Sequence, residues 1–413
     1  METTDVLIIG AGPAGCIAAS LINKQGFKTK IVEKEKFPRF VIGESLLPRV
    51  MDHLDEAGFL EAIKAEGFQE KYGAKFVRGN ETCDFNFSEQ FSDGWKWTWQ
   101  VPRSRFDEIL SKTVSDMGVN IEFETSVIDI KFNGTDSITT VLDAKGKKKQ
   151  IAAKFIVDAS GYGRVIPRLF NLDEPSSLGN RKTHFTHFKD VKRPDGIDGN
   201  RITVVVHQKR VWIWIIPFSN GITSVGFVGD PEFFEKMPAD ATERMRFLIN
   251  SDSNIMERFK EADMMFEPKT IEGYSISTKQ LYGEGYVLVG NATEFLDPVF
   301  SSGVTFAMES GSKAGKLVSR FLKGDNVNWK EDYTNYMMRG INTFRTYVST
   351  WYTGELHDIF FSKNQDLDIK KQICSVLAGY VWDLDNPFVK KHEQAVQSLH
   401  KVIQLNKAST PEL

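Results

Sequence analysis

Asp5-Val6-Leu7-Ile8-Ile9, then Gly10-Ala11-Gly12-Pro13-Ala14-Gly15, then Ala14, Ile17, Ala18, Leu21 and Ile22 at helical spacing, decide the fold of this chain. The first run is short, apolar and β-branched, which predicts a buried strand. The second fits G-x-G-x-x-G. The third predicts a helix closed by Gly26. Lys28 to Val32 then predicts a second strand, and Glu33 ends it. Strand, glycine turn, helix, strand and terminal acid in that order form the dinucleotide-binding βαβ unit. Each part has a physical task. Gly10 permits the tight turn. Gly12, with Pro13 and Ala14 after it, lets backbone N–H groups approach a pyrophosphate. Gly15 lets helix and strand pack closely. The helix N-terminus adds partial positive charge for the phosphates. Glu33 can accept hydrogen bonds from a ribose.

The rest of the chain bounds the class. Its 413 residues can bury a large core and hold two or more domains. A formal charge of −3 predicts no nucleic-acid footprint. Cys16, Cys83 and Cys374 are a sparse, odd set without CxxC, which predicts reduced thiols and a cytoplasmic setting. The acidic start, Met-Glu-Thr-Thr-Asp, leads directly into the first strand and does not read as a signal peptide. No apolar run approaches the ~18–20 residues of a membrane span. His184 and His187 are not at the i, i+4 spacing of a helical zinc pair and lack companion ligands, so no metal site is expected. There is no Gly-x-Ser-x-Gly, no P-loop and no second glycine unit for NAD(P)H.

Two further segments accompany the first unit. Lys154-Phe155-Ile156-Val157-Asp158-Ala159-Ser160-Gly161 reads as a buried strand ending in Asp-Ala-Ser-Gly. Tyr286-Val287-Leu288-Val289-Gly290-Asn291-Ala292 reads as another. It is followed by Asp297-Pro298, Ser301-Ser302-Gly303-Val304 and a helix with Phe306, Met308, Ala314 and Leu317 on its apolar side. Over roughly residues 3 to 325 the chain thereby resembles the flavoprotein monooxygenase superfamily of the p-hydroxybenzoate hydroxylase type. The resemblance implies FAD rather than NAD, with the first motif on the ADP half and Asp158 near the flavin. Asn291 would hold the ribityl chain. Asp297, Ser302, Gly303 and Val304 would lie at the flavin ring. Arg103-Ser104-Arg105-Phe106-Asp107 with Leu110 is similar to the family's Arg-x-x-Phe-Asp-x-x-Leu element, so Arg103 would reach the phosphates and Val127 the adenine. The family usually has Asp at the position of Asn291. An amide lacks the stronger charge-assisted acceptor, so weaker, reversible FAD loading is expected.

Within that superfamily the chain looks most like the flavin-dependent halogenases. Gly43-Glu44-Ser45-Leu46-Leu47-Pro48 resembles the strap of halogenases acting on phenols and pyrroles. Trp212-Ile213-Trp214-Ile215-Ile216-Pro217 fits the family signature Trp-x-Trp-x-Ile-Pro. The stretch from Asp297 to Val304 resembles the loop that holds halide beside the flavin. Lys71 falls where the family's reactive lysine sits. The likeness implies that reduced FAD from a separate flavin reductase, with dioxygen and chloride, yields hypohalous acid. Lys71 would direct it, with Ser45 at the cofactor, Glu44 at flavin or substrate, and Trp212 and Trp214 keeping substrate off the flavin. Halogenases acting on free tryptophan carry an acid where this chain has Phe300, so a phenol-like, pyrrole-like or carrier-bound substrate is expected. Fold alone does not fix chemistry. An aromatic hydroxylase, a geranylgeranyl-reductase-like enzyme and a non-catalytic flavin-binding partner protein remain open alternatives.

The expected architecture is α/β, a Rossmann-like FAD-binding domain with an antiparallel substrate-domain sheet and C-terminal helices. The FAD domain is expected from 1–75, 103–165 and 280–325, the substrate domain from 76–102 and 166–279, and the helical region from 326–413. Ile202 to Gln208, Val211 to Phe218 and Thr223 to Val228 should form the second sheet with Lys75 to Trp99. Trp95-Lys96-Trp97-Thr98-Trp99 should face Trp212 to Trp214 within it. Tyr333, Tyr336, Met337, Ile341, Phe344, Tyr347, Val348 and Trp351 recur every three or four residues, a helical apolar stripe. Lys390 to Lys407 reads as a final amphipathic helix, with a disordered tail from Ala408.

Overall fold

The computed structural model describes residues 1–409. The opening strand, Glu2–Ile9, pairs in parallel with Thr29–Val32 on one side and Lys148–Asp158 on the other. Asn120–Glu122 and Tyr286–Leu288 extend this parallel core outward. Val6, Leu7 and Ile8 are fully buried. Burial on both faces is why the strand reads as a continuous apolar run rather than an alternating one. Helix Pro13–Asn23 begins directly at the glycine turn, with a proline in its first turn, where a missing N–H costs nothing. Helix Ser302–Leu322 packs against it through small residues. A Cβ on Gly311 would sit 2.4 Å from the Ala14 carbonyl oxygen.

A second, seven-stranded sheet runs in the order Lys269–Glu272, Lys182–Lys189, Ile222–Gly229, Val211–Pro217, Ile202–Gln208, Gly73–Arg78, Glu81–Asn86. All its pairs are antiparallel except the parallel pair of Ile202–Gln208 with Gly73–Arg78. The tryptophan run is not part of it, contrary to the sequence expectation. Thr98–Gln100 instead pairs with Gln69–Lys71 in a separate two-stranded ribbon. After Asn86 the chain turns out of the sheet, and the Trp95 amide is taken by the Tyr380 hydroxyl at 2.6 Å. Trp97 packs edge-on against Trp99, at 4.9 Å between ring centres, rather than across from Trp212.

The C-terminal stripe lies on helix Tyr336–Thr353 and the turn before it. Tyr333, Met337, Ile341, Phe344, Tyr347, Val348 and Trp351 are all buried. Lys390 ends a short separate helix, Pro387–Lys390, and the last helix runs His392–Ser409. Ala408 therefore lies within that helix, and the expected tail beyond it falls outside the described residues. No helix among the described residues is long and apolar enough to cross a membrane.

One buried carboxylate ties three helices together. Glu309 accepts from Arg49 Nε at 2.8 Å and from the Tyr336 hydroxyl at 2.5 Å, and lies 2.9 Å from His53 Nε2. Burial alone would raise its pKa, but hydrogen bonds and charge from His53 and Arg49 outweigh that and hold it well below the ordinary carboxylate range. A lowered carboxylate stabilises the fold above its unfolded value, and that contribution fades as pH falls toward the folded one. Glu309→Ala is expected to cost about 3–5 kcal/mol at neutral pH, because it leaves buried partners uncompensated. Urea unfolding at neutral pH checks this.

Candidate cofactor and active site

A cavity of about 690 Å³ runs from the glycine turn to the second sheet. Gly10, Gly12, Pro13, Ala14, Glu33, Arg103 and Val127 line it on the side of the first unit. Asn291, Gly303, Val304, Trp212 and Trp214 line it further along, and Glu44 and Ser45 of the strap also face it. Gly15, Lys71, Asp158, Asp297 and Ser302, also singled out in the sequence, are not part of its wall.

The glycines divide by what they are for. A Cβ on Gly15 would lie 2.0 Å from the Gly10 carbonyl oxygen, and one on Gly10 would lie 2.4 Å from that of Ala159. Both are required by the protein's own packing. Gly12 has an ordinary φ of −73°. A Cβ there would meet only a terminal nitrogen of Arg39, at 3.5 Å. Among the described residues nothing forbids a Cβ at Gly12. The open approach is a cradle of the kind a pyrophosphate requires, and the cavity fits an extended dinucleotide.

Glu33 is 4% exposed. It accepts from the Ala11 amide at 2.8 Å and the Glu35 amide at 2.9 Å. It thus fixes the turn while each oxygen keeps a lone pair for ribose hydroxyls. Arg103 faces the cavity, but its fork is engaged by Asp107 at 2.8 and 2.9 Å. Its remaining nitrogen reaches the carbonyls of Ile42 and Gly43, both at 3.3 Å. The guanidinium over Gly12 is that of Arg39, a residue the sequence reading missed. No motif marks it. It lies in the irregular stretch between Glu33 and the strap, placed by its anchor on Asp107, at 3.1 Å, and by its seat over the Phe37 ring, at 4.5 Å.

Asp158 is fully buried and accepts from the Ser160 and Ile166 amides at 3.0 and 2.7 Å, so it braces the turn beside the cavity. Asn291 gives its backbone carbonyl to Arg164 at 2.7 Å. Its side-chain amide has no protein partner among the described residues, and Asn291 lines the cavity. Asp297 binds the Val299 amide at 3.0 Å and the Tyr352 hydroxyl at 2.9 Å. Burial pushes its pKa up to about 6 against those two hydrogen bonds. Tyr352 also accepts from Trp212 Nε1 at 3.0 Å. A chain of hydrogen bonds therefore joins the signature tryptophan, a C-terminal helix and the late loop. Trp214 donates to the Ser224 hydroxyl at 3.0 Å.

The strap carries the remaining groups. Glu44 is 2% exposed; one oxygen lies 2.7 Å from His187 Nε2 and the other has no hydrogen-bond partner among the described residues. His187 comes from the second sheet and was not singled out for this role. Lys71 is 1% exposed, a rare state for lysine. Its Nζ donates to Ser45 Oγ at 2.9 Å and the Leu46 carbonyl at 2.7 Å. No carboxylate pairs with it among the described residues, and burial pulls its pKa down to about 7.

Comparison with known proteins gives the family. The FAD binding domain family matches residues 3–333. A 1H-pyrrole-2-carbonyl peptidyl-carrier-protein chlorinase of Pseudomonas fluorescens is 29% identical over 410 residues, covering 92% of this chain and 89% of that protein. A crystal structure described as a flavoprotein/dehydrogenase from Cytophaga hutchinsonii shares 64% identity with a TM-score of 0.97, over 98% of this chain and 100% of that one. The flavin-dependent brominase Bmp2 shares the fold at 24% identity and a TM-score of 0.85, over 99% of this chain and 100% of that one. The chain is an FAD-dependent oxidoreductase that belongs to the FAD-binding domain family, and its homologues there are flavin-dependent halogenases.

Proposed function

We propose that this chain halogenates a pyrrole-like or phenol-like acceptor presented on a carrier protein. It would receive reduced FAD from a separate flavin reductase in a reducing, cytoplasmic compartment. The observation that carries the proposal is Lys71: a fully buried lysine without a counter-ion among the described residues, one serine away from the cofactor cavity. Such a group costs stability and makes no ion pair, which is the signature of a residue kept for chemistry. The similar chlorinase acts on a pyrrolyl carrier protein, which supports the acceptor class.

Bound reduced FAD, with dioxygen, would supply the oxidising power that turns halide into hypohalous acid. The chain's own residues do the rest. Gly12, Arg39 and the N-terminus of helix Pro13–Asn23 hold the pyrophosphate, and Glu33 the adenosine ribose. The N-terminus of helix Ser302–Leu322, with the amides of Gly303 and Val304, offers positive potential for halide. Trp212 and Trp214, buried indoles in the cavity wall, would keep the substrate off the flavin. Lys71, deprotonated in part at neutral pH, accepts the halogen and passes it to the acceptor ring.

Purified protein should oxidise NADPH slowly or not at all. With photoreduced FAD, oxygen and bromide it should brominate a pyrrole-2-carbonyl carrier thioester. Halide-independent hydroxylation or reduction would overturn the proposal. A second reading, a direct dehydrogenase, draws support from the description of the 64%-identical structure. Fast NADPH oxidation without halide would select it. No turnover with any redox supply would select a non-catalytic flavin-binding role. The free amide of Asn291 supports a further expectation. Asn291→Asp should tighten FAD by about 1 kcal/mol, through one charge-assisted bond to a ribityl hydroxyl. Fluorescence titration with FAD checks this, and unchanged affinity would place Asn291 away from the ribityl chain.

A further inference from the structure

We propose that the Ser45 hydroxyl is the proton-transferring contact through which a halogen electrophile formed in the cofactor cavity is handed to Lys71. The inference rests on the halogenase reading above and adds a residue role to it.

Three observations carry it. Ser45 lines the cavity and Lys71 does not. Ser45 Oγ lies 2.9 Å from Lys71 Nζ as its hydrogen-bond acceptor, and apart from Lys71 its hydroxyl has no hydrogen-bond partner in the protein among the described residues. While a Lys71 N–H donates to it, the oxygen faces the lysine with a lone pair and its hydrogen is available to the cavity. The contact is also held rigidly. The Val101 amide donates to the Glu44 carbonyl at 2.7 Å, and the Leu46 amide to the Trp99 carbonyl at 3.1 Å. Ser45 forms a bridge with Gln100 between them. The backbone on both sides of Ser45 is pinned to the ribbon that carries Lys71, so hydroxyl and amine keep their spacing when a ligand enters or leaves.

The step balances. The unprotonated Lys71 nitrogen attacks the halogen of hypohalous acid. A nitrogen–halogen bond forms and the halogen–oxygen bond breaks. The departing hydroxide takes the Ser45 hydrogen, and Ser45 Oγ takes the proton released by nitrogen. The products are a haloamine and water, and hypohalous acid is the sole oxidant. A proton relay of this kind spares the amine from becoming a buried cation in the transition state.

The test begins with apo protein. Substoichiometric hypochlorous acid is added, and consumption of the Lys71-containing peptide is read by mass spectrometry against peptides of surface lysines. Ser45→Ala should slow consumption at Lys71 by roughly tenfold or more, with the surface lysines unchanged. Ser45→Thr keeps a hydroxyl and should recover to within about threefold of the parent. Equal rates for parent and alanine variant overturn the proposal. So does equal slowing by alanine and threonine, which would make Ser45 a packing residue. The loaded enzyme supplies the second arm. With reduced FAD, oxygen and bromide, Ser45→Ala should lower brominated acceptor further than it lowers the oxidant captured by added monochlorodimedone, and an equal fall in both would assign Ser45 to the cofactor alone and overturn the proposal. A parent that makes no halide-dependent oxidant overturns the halogenase reading itself, whereas the apo measurement judges the Ser45 contact independently.

Discussion

Lys71→Met protein is expected to bind FAD normally and to form no halogenated product. Methionine preserves most of the buried volume and removes the nitrogen that would carry the halogen. Lys71→Arg should fail as well, because a guanidinium stays protonated and has a different reach. Product formation at the parental rate in either variant would remove Lys71 from the mechanism. The same substitution has a thermodynamic signature opposite to that of a structural residue. The unfolded chain holds the Lys71 proton up to about its ordinary value of 10.5, and the folded chain releases it near 7. Stability therefore rises with pH across that window, and the full penalty, roughly 4–5 kcal/mol, is felt below it. Two lost hydrogen bonds offset this by about 1 kcal/mol each. Lys71→Met should thus melt a few °C above the parent at pH 7. The advantage should shrink toward pH 10. A lysine kept for stability would show the reverse, and thermal melts at the two pH values decide.

Gly12→Val protein is expected to fold and to take up no FAD. The room around that position is what separates this outcome from a general glycine defect. The new Cβ would meet only a terminal nitrogen of Arg39 among the described residues. Its methyl groups would occupy the approach that the pyrophosphate needs, at the N-terminus of helix Pro13–Asn23. Affinity should fall by roughly 10²-fold or more, with several hydrogen bonds lost together at charge-assisted strength. Gly15→Ala makes the contrast. Its Cβ would lie 2.0 Å from a backbone oxygen, so that variant should lose stability. Circular dichroism melts with FAD titration distinguish the two. Retained FAD binding in Gly12→Val would refute the assignment of the turn.

The first βαβ unit was legible because every signal in it is local. Strand, turn, helix and acid follow one another within Asp5 to Glu33, and the spacing of the glycines needs no distant partner to be understood. Lys71 could be located through the strap, since both lie on one stretch of chain. Its burial could not, because that depends on Phe87 and the Thr98–Gln100 strand folding over it. The Trp95–Trp99 misplacement has a similar cause: alternating aromatics announce a strand but do not name the strand it pairs with. Arg39, His187 and Tyr352 were missed for the same physical reason. Each reaches the site by crossing from another element, and their partners Asp107, Glu44 and Asp297 lie 68, 143 and 55 residues away in the chain. Arg103, read from a motif, turned out to be engaged by Asp107, a partner inside the same motif.

The close seating of helix Ser302–Leu322 on helix Pro13–Asn23 would make the molecule a caliper for its cofactor. The two jaws are the helix N-termini, both opening on the same cavity. The hinge is missing, because Gly311 and Gly315 bring one backbone against Ala14 and Ala18 of the other with no side chain between them to yield. A ligand long enough to engage both jaws draws on both sets of amides at once. A flavin mononucleotide, which lacks the adenosine half, can close on one jaw and must leave the other to water. Discrimination between the two flavins thus needs no contact that reads the adenine; a fixed span between two rigid ends is sufficient.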